Sequence, residues 1–218
     1  MTYAAHGLPL FDSGLPETTD PKKILIACET SGIVRNAFLA RGHDAWSVDV
    51  LPSEDKSNRH IIGDARDHLN EGWDFLMVAH PPCTRLCNSG VRWLHKPPEG
   101  RTKSEMWEEL EEAANLFAAF LHAPIDRICI ENPVMHKHAK ARIRDYREFS
   151  QSIQPWQFGH GEVKRTCLWL KNLPKLKPTK IVDGREARIH RMPPSADRWK
   201  ERSRFFTGIA EAMALQWG

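Results

Sequence analysis

Two apolar runs in this chain end at prolines, and that punctuation constrains its fold more than any other feature. Phe75-Leu76-Met77-Val78-Ala79 reads as a buried strand that stops at His80-Pro81-Pro82-Cys83-Thr84. Proline has no N–H to offer a sheet ladder, so the chain must leave the sheet there. Cys83 is then held on a stiff turn at the strand's carboxyl end. Ile130-Glu131-Asn132-Pro133-Val134 repeats the arrangement with a carboxylate and an amide in place of the thiol. The carboxyl edge of an open α/β sheet is where ligands and chemistry collect. Either segment alone suits an ordinary buried cysteine or a strand-end cap, but two in one chain favour a site.

The rest of the pattern predicts a doubly wound, mostly parallel α/β sheet. Strands are expected at Lys23–Cys28, Ala45–Val50, His60–Gly63, Asp74–Ala79 and Arg127–Ile130, with a helix over Ile33–Arg41. The clearest helix is Ser104–His122, capped by Ser104, with Trp107, Leu110, Ala114, Phe117 and Leu121 on one stripe. Beyond residue 150 the helical period is lost. Trp156–Leu173 reads as a hairpin around Gly159-His160-Gly161 with Cys167–Leu170 as its second strand, and Ser203–Trp217 as a closing helix. Residues 1–21 read as a flexible arm, 22–218 as the catalytic domain, and 174–204 as a loop-rich basic excursion within it.

Composition bounds the function classes. No apolar run approaches the ~20 residues that span a bilayer, and no signal pattern opens the chain, so a cytoplasmic protein without membrane partners is expected. The formal charge of +3 permits a nucleic-acid partner without demanding one. Basic residues thicken after position 135, whereas acids concentrate in Glu105–Glu112. The five cysteines show no paired spacing and argue for free thiols. Cys83 and Cys87 lack the further ligands a zinc site needs, so no metal is expected.

Strand, turn and helix around Cys28-Glu29-Thr30-Ser31-Gly32, followed by Asp49 at the end of the second strand, form the pattern of a nucleoside-cofactor site. The turn lets backbone approach the ligand, and the acid takes ribose hydroxyls. Asp64 adds an acceptor at the end of the third strand.

In this order the motifs resemble those of the cytosine-C5 DNA methyltransferases, closest to the short, phage-type members of that family. The resemblance rests on Glu29-Thr30-Ser31-Gly32, Asp49, Asp64, Pro81-Pro82-Cys83 and Glu131-Asn132-Pro133-Val134. It extends more weakly to Lys164-Arg165-Thr166 and to Gly208–Ala214. It implies a Rossmann-like S-adenosylmethionine-dependent methyltransferase fold with a minimal or absent target-recognition domain. Cys83 would be the nucleophile at cytosine C6, Glu131 the acid at N3, Asn132 its orienting neighbour, and Arg165 the cation at the base O2 or Cys83. S-adenosylmethionine would be held by Glu29, Thr30, Ser31, Gly32, Asp49, Asp64, Pro81 and Met213. Pro82, Arg92, Trp93 and Lys164 would meet the substrate, with Thr84–Lys103 a mobile loop over it. DNA, duplex or single-stranded, is the implied partner, and a duplex target would have to be flipped out.

This chain departs from the family at three places. Its cofactor turn is poor in glycine, and Arg35 beside it would suit a donor bearing an extra carboxylate. His80 and Thr84 flank the motif where Gly and Gln are usual. The thirty-odd residues after Pro174 are few for reading a duplex, so a second copy or a partner protein is expected to help. Two other readings stay open: a pyrimidine-C5 enzyme acting on free nucleotides or with a different donor, and a silent methyltransferase-like DNA-binding protein.

Overall fold

The structure is a computed structural model describing residues 20–81, 83–193, 195 and 198–218, so residues 1–19 of the N-terminal arm and Pro82 lie outside the described residues. Seven strands form one sheet: β1 (Lys23–Ala27), β2 (Asp44–Asp49), β3 (His60–Ile62), β4 (Phe75–Val78), β5 (Arg127–Asn132), β6 (Gln151–Ile153) and β7 (Thr166–Lys171). The helices are α1 (Ile33–Leu39), the single turn α2 (Cys83–Leu86), α3 (Lys103–Leu121), α4 (Lys137–Lys140), α5 (Arg188–Arg191), α6 (Arg198–Ser203) and α7 (Thr207–Trp217).

The strand order is β3-β2-β1-β4-β5-β7-β6. The first five strands run parallel, and β7 runs antiparallel to both of its neighbours. This is a Rossmann-like sheet whose strand order reverses between β1 and β4, the place where such sheets open a ligand crevice. Alternation along each strand feeds two cores. Leu25, Ala27, Leu76 and Val78 pack with Leu110, Ala114 and Phe117 of α3 on one face. Ile24, Ile26, Phe75 and Met77 pack with Val34 and Phe38 of α1 and Met213 and Trp217 of α7 on the other. Strands covered on both faces read as continuous apolar runs, which is why KILIA and FLMV were legible.

Several boundaries differ from the sequence expectation. Thr102, not Ser104, caps α3, through a capping box with Glu105. Strand β5 continues through Glu131 and Asn132, because antiparallel β7 offers partners Leu168 and Cys167 opposite them. The hairpin partner of β7 is Gln151–Ile153; Pro155–Gln157 is instead a 3-10 turn with proline at its start. The closing helix begins at Thr207, and the basic excursion contains α5 and α6. The acidic face of α3 is not simply solvated. Glu109 pairs with Arg85 and Arg101, Glu111 with Arg142, and Glu112 with Arg66.

Candidate active site

The carboxyl edge of the parallel strands carries Glu29–Gly32 after β1, Asp49 at the end of β2, Asp64 after β3, Pro81 and Cys83 after β4, and Glu131 and Asn132 at the end of β5. The register Val78↔Ile130 sets the ends of β4 and β5 side by side. Cys83 on the turn after β4 and Glu131 at the end of β5 therefore stand at neighbouring strand ends, and the Glu131 charge bears on the Cys83 thiol. Further backbone contacts tie the two loops together: Asn88 N–H donates to Val134 O at 3.2 Å and His136 N–H to Leu86 O at 3.1 Å.

Glu131 is 5% exposed. Burial raises its carboxyl to about 7, partly offset by the Lys164 ammonium. A carboxylic acid that keeps its proton up to neutrality can donate to a ring nitrogen. Asn132 is fully buried; its amide N–H donates to Pro133 O at 3.0 Å, and its Oδ1 has no partner. His80 Nδ1 lies 4.0 Å from Glu131 Oε2, and its buried Nε2 has no partner. Burial holds the imidazole neutral, pushing its pKa well down, and its ring sits 5.6 Å from that of Phe205, just before α7. The unpartnered His80 nitrogen beside a protonated acid marks a place where a polar ligand ring would find a partner.

The cation facing this centre is Lys164, which acts on Cys83, Glu131 and His80. Arg165, expected in that position, is exposed and lies over Phe149 with 5.8 Å between guanidinium and ring centre. Adjacent residues of an extended chain point to opposite faces, so only one of the pair can meet Cys83. Pro81 is buried at the start of the turn. Arg92 stacks at 4.1 Å on the ring of Trp93, which in turn packs against the core. A cleft of ≈ 390 Å³ between α2 and α3 is lined by Thr84, Arg85, Glu109 and Leu116.

The turn after β1 folds without its usual glycines. Cys28 adopts φ 58°, a left-handed conformation that costs a non-glycine residue about 1–2 kcal/mol. Its thiol faces Asp49 and Asp64, and burial plus those charges push its pKa up. Gly32 has φ 70°, and a Cβ there would collide with the Arg35 guanidinium and come within 2.7 Å of Asp55 Oδ2. Glu29 is fully buried and turned toward α1, accepting from Val34 N–H at 2.7 Å, Arg35 N–H at 3.1 Å and Ser31 Oγ at 3.3 Å. It caps the helix that Gly32 begins, so its contribution is to shape the turn. Thr30 donates to Glu54 at 3.3 Å. Arg35 is likewise committed, to Asp55 and, at 2.7 Å, to Ser47 Oγ, so it does not offer a free guanidinium to a modified donor.

Asp49 ends β2 with its Oδ1 on Leu51 N–H at 3.0 Å, and burial raises its pKa. Beside it Val50 and Leu51 are 69% and 45% exposed, and Ile62 at the end of β3 is 64% exposed. Open apolar side chains flanking an acid suit a flat heteroaromatic ring with a ribose attached. Sequence reading passed over Val50 and Leu51, although exposed apolar residues directly after a strand-end acid were a usable signal. Asp64 caps the turn that follows it, and Arg66 holds both its oxygens, with Nε at 3.0 Å from each. Met213 is corrected by the structure. It is fully buried against α1, because α7 turns that face into the core, while Phe205, just before the helix, packs its ring near that of His80.

No family model and no curated protein matches this chain. Among solved structures, one described as the crystal structure of PH0851 is similar to it at 14% identity over 72% of this chain, with a TM-score of 0.38. The matched region spans 42% of that protein's length. Among the described residues no helix is long and apolar enough to cross a membrane, and no cluster of three or more ligating side chains could hold a metal ion.

Proposed function

We propose that the protein is an S-adenosylmethionine-dependent DNA cytosine-C5 methyltransferase. One observation carries the reading. A thiol and a carboxyl that keeps its proton to about pH 7 converge from the ends of neighbouring strands, beside an exposed apolar strip next to Asp49. The Rossmann strand order with one reversed strand is compatible with the methyltransferase fold that the motif resemblance implies.

Cytosine C5 is a poor nucleophile until C6 carries a substituent. Cys83 Sγ adds at C6, and the C5=C6 electron pair moves toward N3, which takes the proton of Glu131. Carbon 5 is then enamine-like. S-adenosylmethionine, when bound, supplies the electrophilic methyl group that C5 attacks. Asp49 would hold the ribose hydroxyls, Val50, Leu51 and Ile62 would cover the adenine faces, and the Cys28–Gly32 turn would pass beneath the methionine end. A water takes the C5 proton, the freed electron pair reforms C5=C6 as the Cys83 sulfur leaves with the S–C6 pair, and N3 returns its proton to Glu131. Lys164 offsets the negative charge that collects around the ring, His80 offers a partner to its polar edge, and Asn132 braces the turn after Glu131 through Pro133 O.

The test is covalent trapping. Incubation with S-adenosylmethionine and DNA containing 5-fluorocytosine is expected to yield an adduct at Cys83, because fluorine cannot leave as a proton does. Parallel reactions with dCMP and dUMP carry the second reading, favoured by the short stretch after Pro174: modification of the free nucleotides alone moves the substrate class from DNA to nucleotide. The absence both of an adduct with the fluorinated DNA and of any modified dCMP or dUMP overturns the enzyme.

A further inference from the structure

His136 is a buried histidine that the chemistry above does not use, and both of its ring nitrogens are engaged where the two loops of the site meet. It is 4% exposed and stands just ahead of α4, on the segment that leaves Glu131. Its Nδ1 accepts from Ala139 N–H at 3.0 Å, which caps α4, and its Nε2 lies 2.6 Å from Arg85 O. A carbonyl oxygen only accepts and a backbone N–H only donates, so the ring is neutral with its one proton on Nε2. The main chain of His136 reaches the same turn, its N–H donating to Leu86 O at 3.1 Å. Arg85 and Leu86 are the last two residues of α2, whose carbonyls the turn itself leaves unsatisfied. His136 provides the donor for each.

Backbone contacts already join the two loops as a short ladder: Asn88 with Val134, Cys87 with Met135, and Leu86 with His136. A pairing this short is marginal by itself. The ring bond to Arg85 O adds a contact one residue nearer Cys83, where α2 begins. Arg85 is held at its other end as well, its Nε 2.6 Å from Glu109 Oε2 of α3. We propose that His136 is a positioning residue of the reaction, whose neutral ring braces the turn bearing Cys83 against the loop that leaves Glu131. The inference rests on the reading of Cys83 and Glu131 as nucleophile and acid.

The brace exists in one protonation state only. A second proton would turn Nδ1 into a donor facing Ala139 N–H, setting two donors head to head and leaving α4 uncapped. The ionisable groups on the surrounding elements are Arg85 and Cys87 in and after α2, Glu109 and Glu111 of α3, Lys137, His138 and Lys140 of α4, and Arg142 beyond it. Glu109 pairs with Arg85, Glu111 with Arg142, and Glu148 with Lys140. The His138 ring centre is 5.8 Å from that of His136. Burial above all, and then His138 and Arg142, hold His136 below the ordinary histidine range, against the Arg85 carbonyl, which favours the charged ring. The ring is therefore neutral at pH 7, and the brace is lost only on acidification.

Two substitutions in the full-length protein separate the brace from the cap. His136→Asn keeps an acceptor at the head of α4, asparagine being among the best residues for that place, but its shorter amide stops short of Arg85 O. His136→Gln places an amide N–H at about the reach of Nε2 and carries no charge at any pH. With DNA and S-adenosylmethionine, His136→Asn is expected to lose about tenfold or more in kcat at nearly unchanged KM and melting temperature, and His136→Gln to recover most of that loss. The wild type should also lose kcat more steeply than His136→Gln as pH falls from about 7 to 5. A kcat for His136→Asn within about twofold of wild type, or one that His136→Gln does not improve on, overturns the inference. If His136→Asn does not fold, the acid limbs are compared instead: a steeper one in the wild type supports the brace, and identical limbs in wild type and His136→Gln overturn it. Hydrogen exchange needs no substrate, and the amides of residues 83–88 should exchange about tenfold faster in His136→Asn than in wild type. Equal protection overturns the brace. A wild type that transfers no methyl group while that exchange difference holds removes the reaction assigned to Cys83 and leaves the brace in place.

Discussion

Cys87 and Met135 face each other across an isolated antiparallel bridge, which staples the turn bearing Cys83 to the loop leaving Glu131. The distance between thiol and acid is therefore set by backbone and not by side-chain flexibility. A centre of this kind is held by its supports, and small displacements would be expensive in rate.

Cys83→Ser is expected to abolish the covalent adduct and methyl transfer while leaving S-adenosylmethionine binding within about twofold of wild type. A serine hydroxyl lacks the acidity and nucleophilicity of a thiol at neutral pH, whereas the nucleoside site proposed above lies with Asp49, Val50 and Leu51. Tritium transfer to DNA and titration calorimetry check the two halves.

Val50→Asp should do the reverse. At 69% exposure the side chain contributes little to the core, so stability should change by less than about 0.5 kcal/mol. A carboxylate beside Asp49 would repel both an apolar ring face and its neighbour. Calorimetry should show S-adenosylmethionine affinity falling about tenfold or more with an unchanged melting temperature.

Glu131 makes stability depend on pH with a known sign. Its folded pKa, about 7, lies above the ordinary 4.5, so the native state binds the extra proton between those values. Its contribution is complete below pH 4.5 and is lost as pH rises through 7, on the order of 3 kcal/mol in all. Urea titrations should show wild-type stability falling relative to Glu131→Gln across that interval. An unchanged difference between the two proteins would mean the acid is already ionised at low pH.

Gly32→Ala tests the turn after β1. The positive φ strains any residue with a Cβ, and the collision with Arg35 adds to it. A loss of about 2 kcal/mol or more is expected in urea unfolding, together with weaker cofactor binding, because α1 and its Glu29 cap start from this residue.

Much of this was written in the chain. Three short apolar runs, at β1, β4 and β5, dictated a sheet covered on both faces, because strands buried on both sides leave no polar alternation. Prolines after β4 and β5 placed Cys83 and Glu131 at strand ends, for the plain reason that proline cannot extend a ladder.

Other features depended on distant partners. Only the pairing with β7 shows that β5 extends through Asn132, and only the packing of α7 on α1 removes Met213 from the site. The choice of Lys164 over Arg165 turns on which face of an extended segment looks inward, a matter of register that a one-residue shift reverses. Glu29 and Arg35 looked available in the chain and are spent on the fold, since burial forces each to find partners nearby. Sequence determined which groups stand at the sheet's edge, because strand and turn chemistry is local. Tertiary structure decided which of them face one another, because orientation and burial depend on contacts made far along the chain.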